Sequence, residues 1–361
     1  MDSSDDRLHL RGARSFVAGR FESVARETCD DGWTPEEKDE RELQTSVAIE
    51  RARSILSHND SPDVGFDRSI NPYRGCEHGC IYCYARPSHA YLELSPGLDF
   101  ETKLYAKTNA AALLREELGK PGYRPAPIAL GANTDCYQPI ERKYKITRQI
   151  LEALAECEHP VTMVTKSALI ERDLDLLTDL ASKNLVKVFV SIGTLDRVLA
   201  RKLEPRAASP QRRIDILRKL SSSGVPCGVM VAALIPALND KTLEQVLEAA
   251  AAAGAREAAY VIMRLPHELK ALFKEWLAAH YPERAEHVIS IVRQMRGGRD
   301  NDPSFGTRMT GTGSYAELIE KRFDIACRRY GLNDHGAGRN PPELDCSRFR
   351  PPSRHGQMTL F

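Results

Sequence analysis

The sequence predicts an α/β fold centred on a largely parallel sheet wound from repeated strand–helix units. Short, nearly continuous apolar runs rich in β-branched residues recur at 127–131, 161–165, 186–192, 228–235 and 259–263. Strands buried on both faces need this composition. Amphipathic stretches at 147–157, 171–183, 210–223 and 241–253 separate them, which is the rhythm of βα units. Five or six such units in succession suit a full or partial βα barrel. A doubly wound open sheet is the competing arrangement, and periodicity does not separate the two. Both place functional groups at the C-terminal ends of the strands.

The chain divides around this centre. Residues 1–66 read as a polar N-terminal extension, with a helix expected over 43–56 from the partial apolar face of Val47, Ala48, Ile49, Ala52, Ile55 and Leu56. Asn59-Asp60-Ser61-Pro62-Asp63 breaks it. Residues 67–283 form the core, and 284–330 a helical region. Helices are expected near 267–279, 285–295 and 314–330, with a loop rich in Gly, Asp, Asn and Thr over 297–313. Residues 331–361 read as a flexible tail, because 331–356 is rich in Pro, Arg and Gly.

Composition bounds the function classes. The 361 residues are 42% apolar, enough for one large domain with extensions or two smaller ones. Lys and Arg total 51 against 50 Asp and Glu. That balance excludes a uniformly cationic nucleic-acid coat but not a local basic groove. Met1-Asp2-Ser3-Ser4-Asp5-Asp6-Arg7 lacks the apolar core of a signal peptide. No run approaches the ~20 apolar residues of a membrane span. The expectation is a cytoplasmic protein with no membrane partner. Nine cysteines at irregular spacing then point to metal ligation or buried thiols rather than disulfides.

One segment concentrates the chemistry: Asn71-Pro72-Tyr73-Arg74-Gly75-Cys76-Glu77-His78-Gly79-Cys80-Ile81-Tyr82-Cys83-Tyr84. Its core is C-x3-C-x2-C. Three thiolates within eight residues converge only if the chain wraps around a common ligand, and Gly75 and Gly79 permit the tight backbone. Cuboidal iron–sulfur clusters normally take four cysteines, so three leave one iron open. A zinc knuckle would recruit His78, at a spacing too tight for the usual finger pattern. A ferredoxin site would want a fourth nearby cysteine, and Cys136 is distant. Buried structural cysteines fit poorly in a loop laden with Gly and Tyr.

With an aromatic before its last cysteine, this motif resembles the signature of the radical S-adenosylmethionine (SAM) superfamily. The wider context resembles the spore-photolyase-like branch. It comprises Ser69-Ile70-Asn71-Pro72-Tyr73-Arg74-Gly75, Tyr82-Cys83-Tyr84-Ala85-Arg86, Ser95-Pro96-Gly97-Leu98-Asp99-Phe100-Glu101-Thr102-Lys103 and Thr134-Asp135-Cys136-Tyr137-Gln138-Pro139. The resemblance spans roughly 45–330. It implies an α/β fold of the partial (βα)6, TIM-like barrel type. It also implies a [4Fe–4S] cluster on Cys76, Cys80 and Cys83, SAM on the open iron, and a reductant of flavodoxin or ferredoxin type. Reductive cleavage of SAM would give a 5′-deoxyadenosyl radical that abstracts hydrogen from a substrate. That kinship makes nucleic acid the first substrate class to consider. A protein or small-molecule substrate is the first rival, and a non-catalytic iron–sulfur protein the second.

The resemblance also implies roles in holding SAM. Tyr82 lies where the superfamily sets an aromatic against adenine. Asn133, Thr134 and Asp135 follow the second barrel strand, where relatives hold the SAM amino group. Asp135 as a plain helix cap is the alternative. Lys166 closes a strand and pairs with the methionine carboxylate as a point charge. Ser191 ends the next strand and reaches the ribose or carboxylate. Glu204, in Leu203-Glu204-Pro205-Arg206, supports the ribose or pairs with Arg206. Leu234 and Ile235 flank adenine, or are simply core. For returning a hydrogen to the product, the candidates are Cys136, Tyr84 and Tyr137. Cys136 stands several residues from the position of the spore-photolyase donor. Cys29, Cys157, Cys227, Cys327 and Cys346 read as structural.

Two signals lie outside the core. Arg322, Arg328, Arg329, Arg339, Arg348, Arg350 and Arg354 give the C-terminal region local positive charge that could track phosphates. The terminus Gln357-Met358-Thr359-Leu360-Phe361 is similar to the short peptide that seats in the bacterial DNA sliding clamp. There Gln357 would anchor backbone contacts, and Leu360 and Phe361 would fill an apolar pocket.

Overall fold

A computed structural model describes residues 11–22, 43–334 and 343–352. In chain order the strands are β1 (Ser46–Ile49), β2 (Leu56–His58), β3 (Arg68–Ile70), β4 (Tyr73–Arg74), β5 (Lys103–Ala106), β6 (Ile128–Leu130), β7 (Val161–Thr165), β8 (Val186–Ser191), β9 (Cys227–Leu234) and β10 (Glu257–Ile262). The helices are α1 (Asp99–Thr102), α2 (Ala110–Leu118), α3 (Glu141–Tyr144), α4 (Ile146–Glu156), α5 (Leu174–Ser182), α6 (Arg197–Leu203), α7 (Pro210–Ser222), α8 (Leu243–Ala252), α9 (Leu269–His280), α10 (Pro282–Gln294) and α11 (Ser314–Tyr330).

The main sheet runs β10-β9-β8-β7-β6-β3-β2. From β3 to β10 each strand pairs in parallel with the next, and only β2 is antiparallel to its neighbour β3. A doubly wound sheet reverses its strand order at a switch point. Six parallel strands in chain order instead give the winding of a partial (βα)6 barrel. The apolar runs pair directly, with Leu130 beside Met163 and Thr165 beside Val190. Ile70, Met163, Val188 and Val229 have no exposure, and neither do Ile150, Leu177, Leu217 and Leu247 on the covering helices. Each such side chain contributes about 1.5–3 kcal/mol by leaving water.

Local chemistry sets the helix starts. Ser209 accepts from the Arg212 N–H at 3.4 Å and Pro210 occupies the first turn of α7. This is the preferred cap followed by the residue that loses nothing there. Asp196 caps α6 by accepting from Val198 and Leu199 N–H at 2.8 and 3.1 Å.

The helix expected over 43–56 is replaced by two strands. β1 pairs in parallel with β5, which also takes β4 in antiparallel, forming a second, three-stranded sheet. β2 adds to the edge of the main sheet. Pairing with distant chain outweighs a weak local periodicity here. Within 331–356, residues 343–352 have no helix or strand but are pinned to the base of the barrel. Arg350 N–H donates to the Cys157 carbonyl, and Asp345 N–H to that of Asn184, each at 2.9 Å. The Phe349 ring lies 5.3 Å from Tyr123 and 5.4 Å from His159. No helix among the described residues is long and apolar enough to cross a membrane.

Candidate active site

Chain that leaves β3 and β4 at their C-terminal ends becomes the cysteine loop. Gly75 and Gly79 both adopt positive φ, at 72° and 68°. A Cβ on Gly75 would stand 2.5 Å from Leu104 Cδ2, and one on Gly79 would stand 2.7 Å from Glu101 Oε2. Only glycine meets both demands. Cys76 N–H donates to the Phe100 carbonyl at 2.9 Å, and Cys83 N–H to that of Cys80 at 3.2 Å.

Arg86, wholly buried, ties the loop together. Its Nε donates to the Cys80 carbonyl at 2.9 Å, Nη2 to the Gly79 carbonyl at 3.1 Å, and Nη1 to the Pro96 and Gly97 carbonyls at 3.2 and 2.9 Å. Glu101 Oε1 takes Nη2 at 2.5 Å, while its two oxygens also accept from Gly12 and Ala13 N–H at 3.0 and 2.8 Å. From the other side, Gln138 donates to the Gly75 carbonyl at 3.0 Å and accepts from Glu77 N–H at 3.1 Å. Arg86, Glu101 and Gln138 were not singled out from the sequence, although all three lie in the segments that carry the family resemblance.

Cys76 and Cys80 are each 7% exposed, and Cys83 is half-buried. Burial raises the thiols, Cys80 to about 12, so thiolates need a nearby metal charge to form. His78 Nδ1 faces Asp135 Oδ2 at 3.4 Å. Among the described residues no three His, Cys, Asp or Glu side chains group closely enough for a single ion. A cubane is held at separate corners, so three spaced thiols in a loop with its backbone polar groups engaged fit a [4Fe–4S] cluster.

Beside the loop lies a narrow cleft lined by Tyr82, Gly193, Thr194, Glu204, Ala233 and Asn239, with Ala200 and Leu203. Buried Glu204 accepts from the Tyr82 hydroxyl and from Arg213. Glu204 therefore pairs with Arg213, which the first turn of α7 places, and not with Arg206. Arg206 instead pairs with Glu77 at 3.1 Å. Burial alone would raise Glu204, but the Arg213 and Lys166 charges outweigh it and hold the carboxyl below its usual range. The Lys166 ammonium stands 5.9 Å from the Tyr82 ring centroid. Burial opposes its charge, but Cys80 and Glu204 outweigh this, so the group stays protonated. Asn239 accepts from Ile235 N–H at 2.6 Å and donates to the Gly193 and Ala233 carbonyls at 2.8 and 3.0 Å. It fixes the cleft wall, and the sequence offered no signal for it.

The remaining candidates divide. Asp135 accepts from the Thr165 hydroxyl and from Lys166 N–H at 2.8 Å each, and from Tyr137 N–H at 2.9 Å. Burial would raise it, but His78 and these donors prevail and bring it down to about 2. Thr134 donates to the Tyr73 carbonyl at 2.9 Å, and Asn133 N–H donates to Asn71 Oδ1 at 2.8 Å. Ser191 donates to the Ala232 carbonyl at 3.2 Å. Leu234 and Ile235 are buried. Cys136 and Tyr137 have no exposure, and the Tyr137 hydroxyl is held by Asp173 at 3.0 Å. Of the three hydrogen-donor candidates, Tyr84 alone presents surface, at 49% exposure. Gln357, Leu360 and Phe361 lie outside the described residues.

Comparisons with known proteins agree with this geometry. The family model of the radical SAM superfamily matches residues 70–250. An uncharacterised protein of Mycobacterium tuberculosis is 37% identical over 286 residues, covering 78% of this chain and 79% of that one. An uncharacterised protein of Methanocaldococcus jannaschii is 28% identical over 201 residues, covering 55% and 72%. Among solved structures, a cysteine-to-serine mutant of spore photoproduct lyase superposes with a TM-score of 0.59 at 16% identity, covering 81% of this chain and 82% of that one. A further mutant of that lyase, with bound SAM and dinucleoside spore photoproduct, gives the same values. These structural likenesses show the shared fold. Radical SAM proteins use a [4Fe–4S] cluster with SAM and need a reductant. With half of its length matched by the family model, this chain belongs to the radical SAM superfamily.

Proposed function

We propose that the protein abstracts hydrogen from a nucleic-acid strand by SAM-dependent radical chemistry. Cys76, Cys80 and Cys83 would hold the [4Fe–4S] cluster. When bound, the cluster and SAM together supply a 5′-deoxyadenosyl radical. The chain's own residues do the positioning. Lys166 offers a buried positive charge to the methionine carboxylate. Tyr82, oriented by Glu204, gives adenine a face. Ser191, Asn133 and the backbone near Leu234 and Ile235 border the same strand tips. Cys80, Ile81 and Tyr82 pack in one apolar cluster with Phe273 and Trp276 of α9 and Val288 of α10, which limits water on that side of the loop and would protect a reactive radical.

The observation that carries the reading is the cysteine loop beside a cleft lined by its own Tyr82, with the Lys166 ammonium 5.9 Å from that ring. The nucleic-acid class is supported by the fold shared with spore photoproduct lyase, a protein solved with a dinucleoside spore photoproduct, and by the guanidinium of Arg264, whose carbon lies 5.9 Å from the Tyr84 ring centroid. A flavodoxin- or ferredoxin-type protein is the expected electron source. The test is anaerobic reconstitution with iron and sulfide, then reduction with dithionite in the presence of SAM. 5′-Deoxyadenosine should form with the wild type and be absent with Cys80→Ala. Equal product from both proteins would remove the assignment of the cysteine ligands.

A further inference from the structure

The partial barrel leaves β10 and β2 as unjoined edges, and the loop 297–313 runs from the C-terminal end of β10 to the β2–β3 connection. Ile262 N–H, on β10, donates to the Met309 carbonyl at 2.9 Å. On the opposite edge, Asp63 in the β2–β3 connection accepts from Gly306 N–H at 2.6 Å and from Arg308 Nε. Arg308 also donates to Ser61. This loop therefore borders the mouth through which a substrate would reach the cysteine loop.

Arg264, just beyond the tip of β10, projects into that mouth. Its guanidinium carbon lies 5.9 Å from the Tyr84 ring centroid. Among the described residues its Nη1 meets the Met309 sulfur, at 3.7 Å, and its buried Nε has no hydrogen-bond partner. By contrast, wholly buried Arg86 and nearly buried Arg213 each have a glutamate and backbone carbonyls. A buried guanidinium N–H without an acceptor is costly and is relieved by an incoming anion. Arg308, already paired with Asp63, lies 4.5 Å from the Phe305 ring, and Phe305 is 57% exposed.

We propose that Arg264 is the substrate-binding residue of this mouth and seats a backbone phosphate of a single nucleic-acid strand, with Tyr84 and Phe305 as stacking faces for adjacent bases. The proposal rests on the nucleic-acid reading above. Its parts match what single strands require: a planar guanidinium for phosphate and exposed rings for bases. Lys166, on the Tyr82 side of the loop, remains with SAM.

The test uses the reconstituted full-length protein with SAM and a fluorescently labelled oligothymidine of about a dozen residues, long enough to fill one single-strand site. Anisotropy is read across a salt series. Arg264→Met is expected to weaken binding at least tenfold and to flatten the logarithmic salt slope by about 0.7, the contribution of one phosphate contact on a single strand. Arg264→Lys should recover part of the affinity, and Phe305→Ala should weaken binding without changing the slope. The SAM-induced change in the cluster's EPR spectrum should persist in Arg264→Met. Equal binding by wild type and Arg264→Met would overturn the inference while leaving the nucleic-acid reading standing. Loss of the SAM-induced EPR change would overturn it by placing Arg264 on the cofactor. A wild type that binds no strand would overturn the nucleic-acid reading, and this proposal with it.

Discussion

Arg86–Glu101 and Arg213–Glu204 are both buried arginine–glutamate pairs, and both touch the cysteine loop. The first meets the loop through its backbone. Arg86 donates to the carbonyls of Gly79 and Cys80, and Glu101 ties in the irregular N-terminal segment at Gly12 and Ala13. The second meets the loop through one side chain, the Tyr82 hydroxyl. Arg86–Glu101 therefore fixes where the thiols are, whereas Arg213–Glu204 fixes how the aromatic face is presented to the cleft. A buried ion pair contributes little net stability against its desolvation cost, but breaking one leaves an uncompensated charge. What each pair orders, rather than the pair itself, decides what is lost.

The largest effect is expected from Arg86→Met, which strands Glu101 without its cation and frees four carbonyls. A loss of about 3–5 kcal/mol follows from a broken buried pair, read as a lowered urea midpoint. Iron content after reconstitution should fall with it, and full iron content would break the comparison. Glu204→Gln keeps an acceptor for Tyr82 but removes the charge beside Arg213. About 2 kcal/mol is expected from this weakened, still hydrogen-bonded contact. Iron content should stay at the wild-type level while SAM affinity, measured by anaerobic calorimetry, drops. Unchanged SAM affinity would sever Tyr82 orientation from cofactor binding.

Two buried histidines extend the comparison to pH. Burial pulls both His89 and His159 down to about 4. His159 accepts from the Tyr123 hydroxyl at 2.8 Å and donates to the Pro160 carbonyl, so it is neutral in the fold. Its depressed value means the unfolded chain binds a proton first as pH falls. Stability is full above about 6.5 and declines down to about 4, by about 1.4 kcal/mol per pH unit for each histidine. Denaturant titrations at pH 7 and 5.5 check this. His159→Gln should flatten the slope and loosen the Phe349 strap. A pH-independent midpoint would rule the histidines out.

Smaller effects calibrate these. Tyr82→Phe removes one hydroxyl from Glu204 and should cost about 1 kcal/mol, with the ring still in place for the cofactor. Arg218→Ala breaks an exposed pair with Asp215 on the outer face of α7. No measurable shift of the urea midpoint is expected, since exposed pairs are screened by water. A shift as large as that of Glu204→Gln would mean that burial is not what separates the pairs.

The sequence by itself determined much of this. Continuous apolar runs and the helical periods between them are local signals, so all five strand runs and the helices between them appear within a few residues of their expected bounds. The C-x3-C-x2-C spacing is equally local, and it identified the family. Tertiary structure decided what depends on chain meeting distant chain. Residues 43–56 became strands because Ser46–Ile49 found Lys103–Ala106, and no window of sequence contains that partner. Glu204 chose Arg213 over nearby Arg206 because α7 turns its first residues toward the cleft. Cys136 and Tyr137, next to Asp135 in sequence, went into the core instead. Arg308 in the loop after α10 meets Asp63 from the opposite edge of the sheet, a contact made only when the strands are wound into a partial barrel. Period and spacing are written along the chain, while the choice of partner is made in three dimensions, where burial makes an unpaired charge costly.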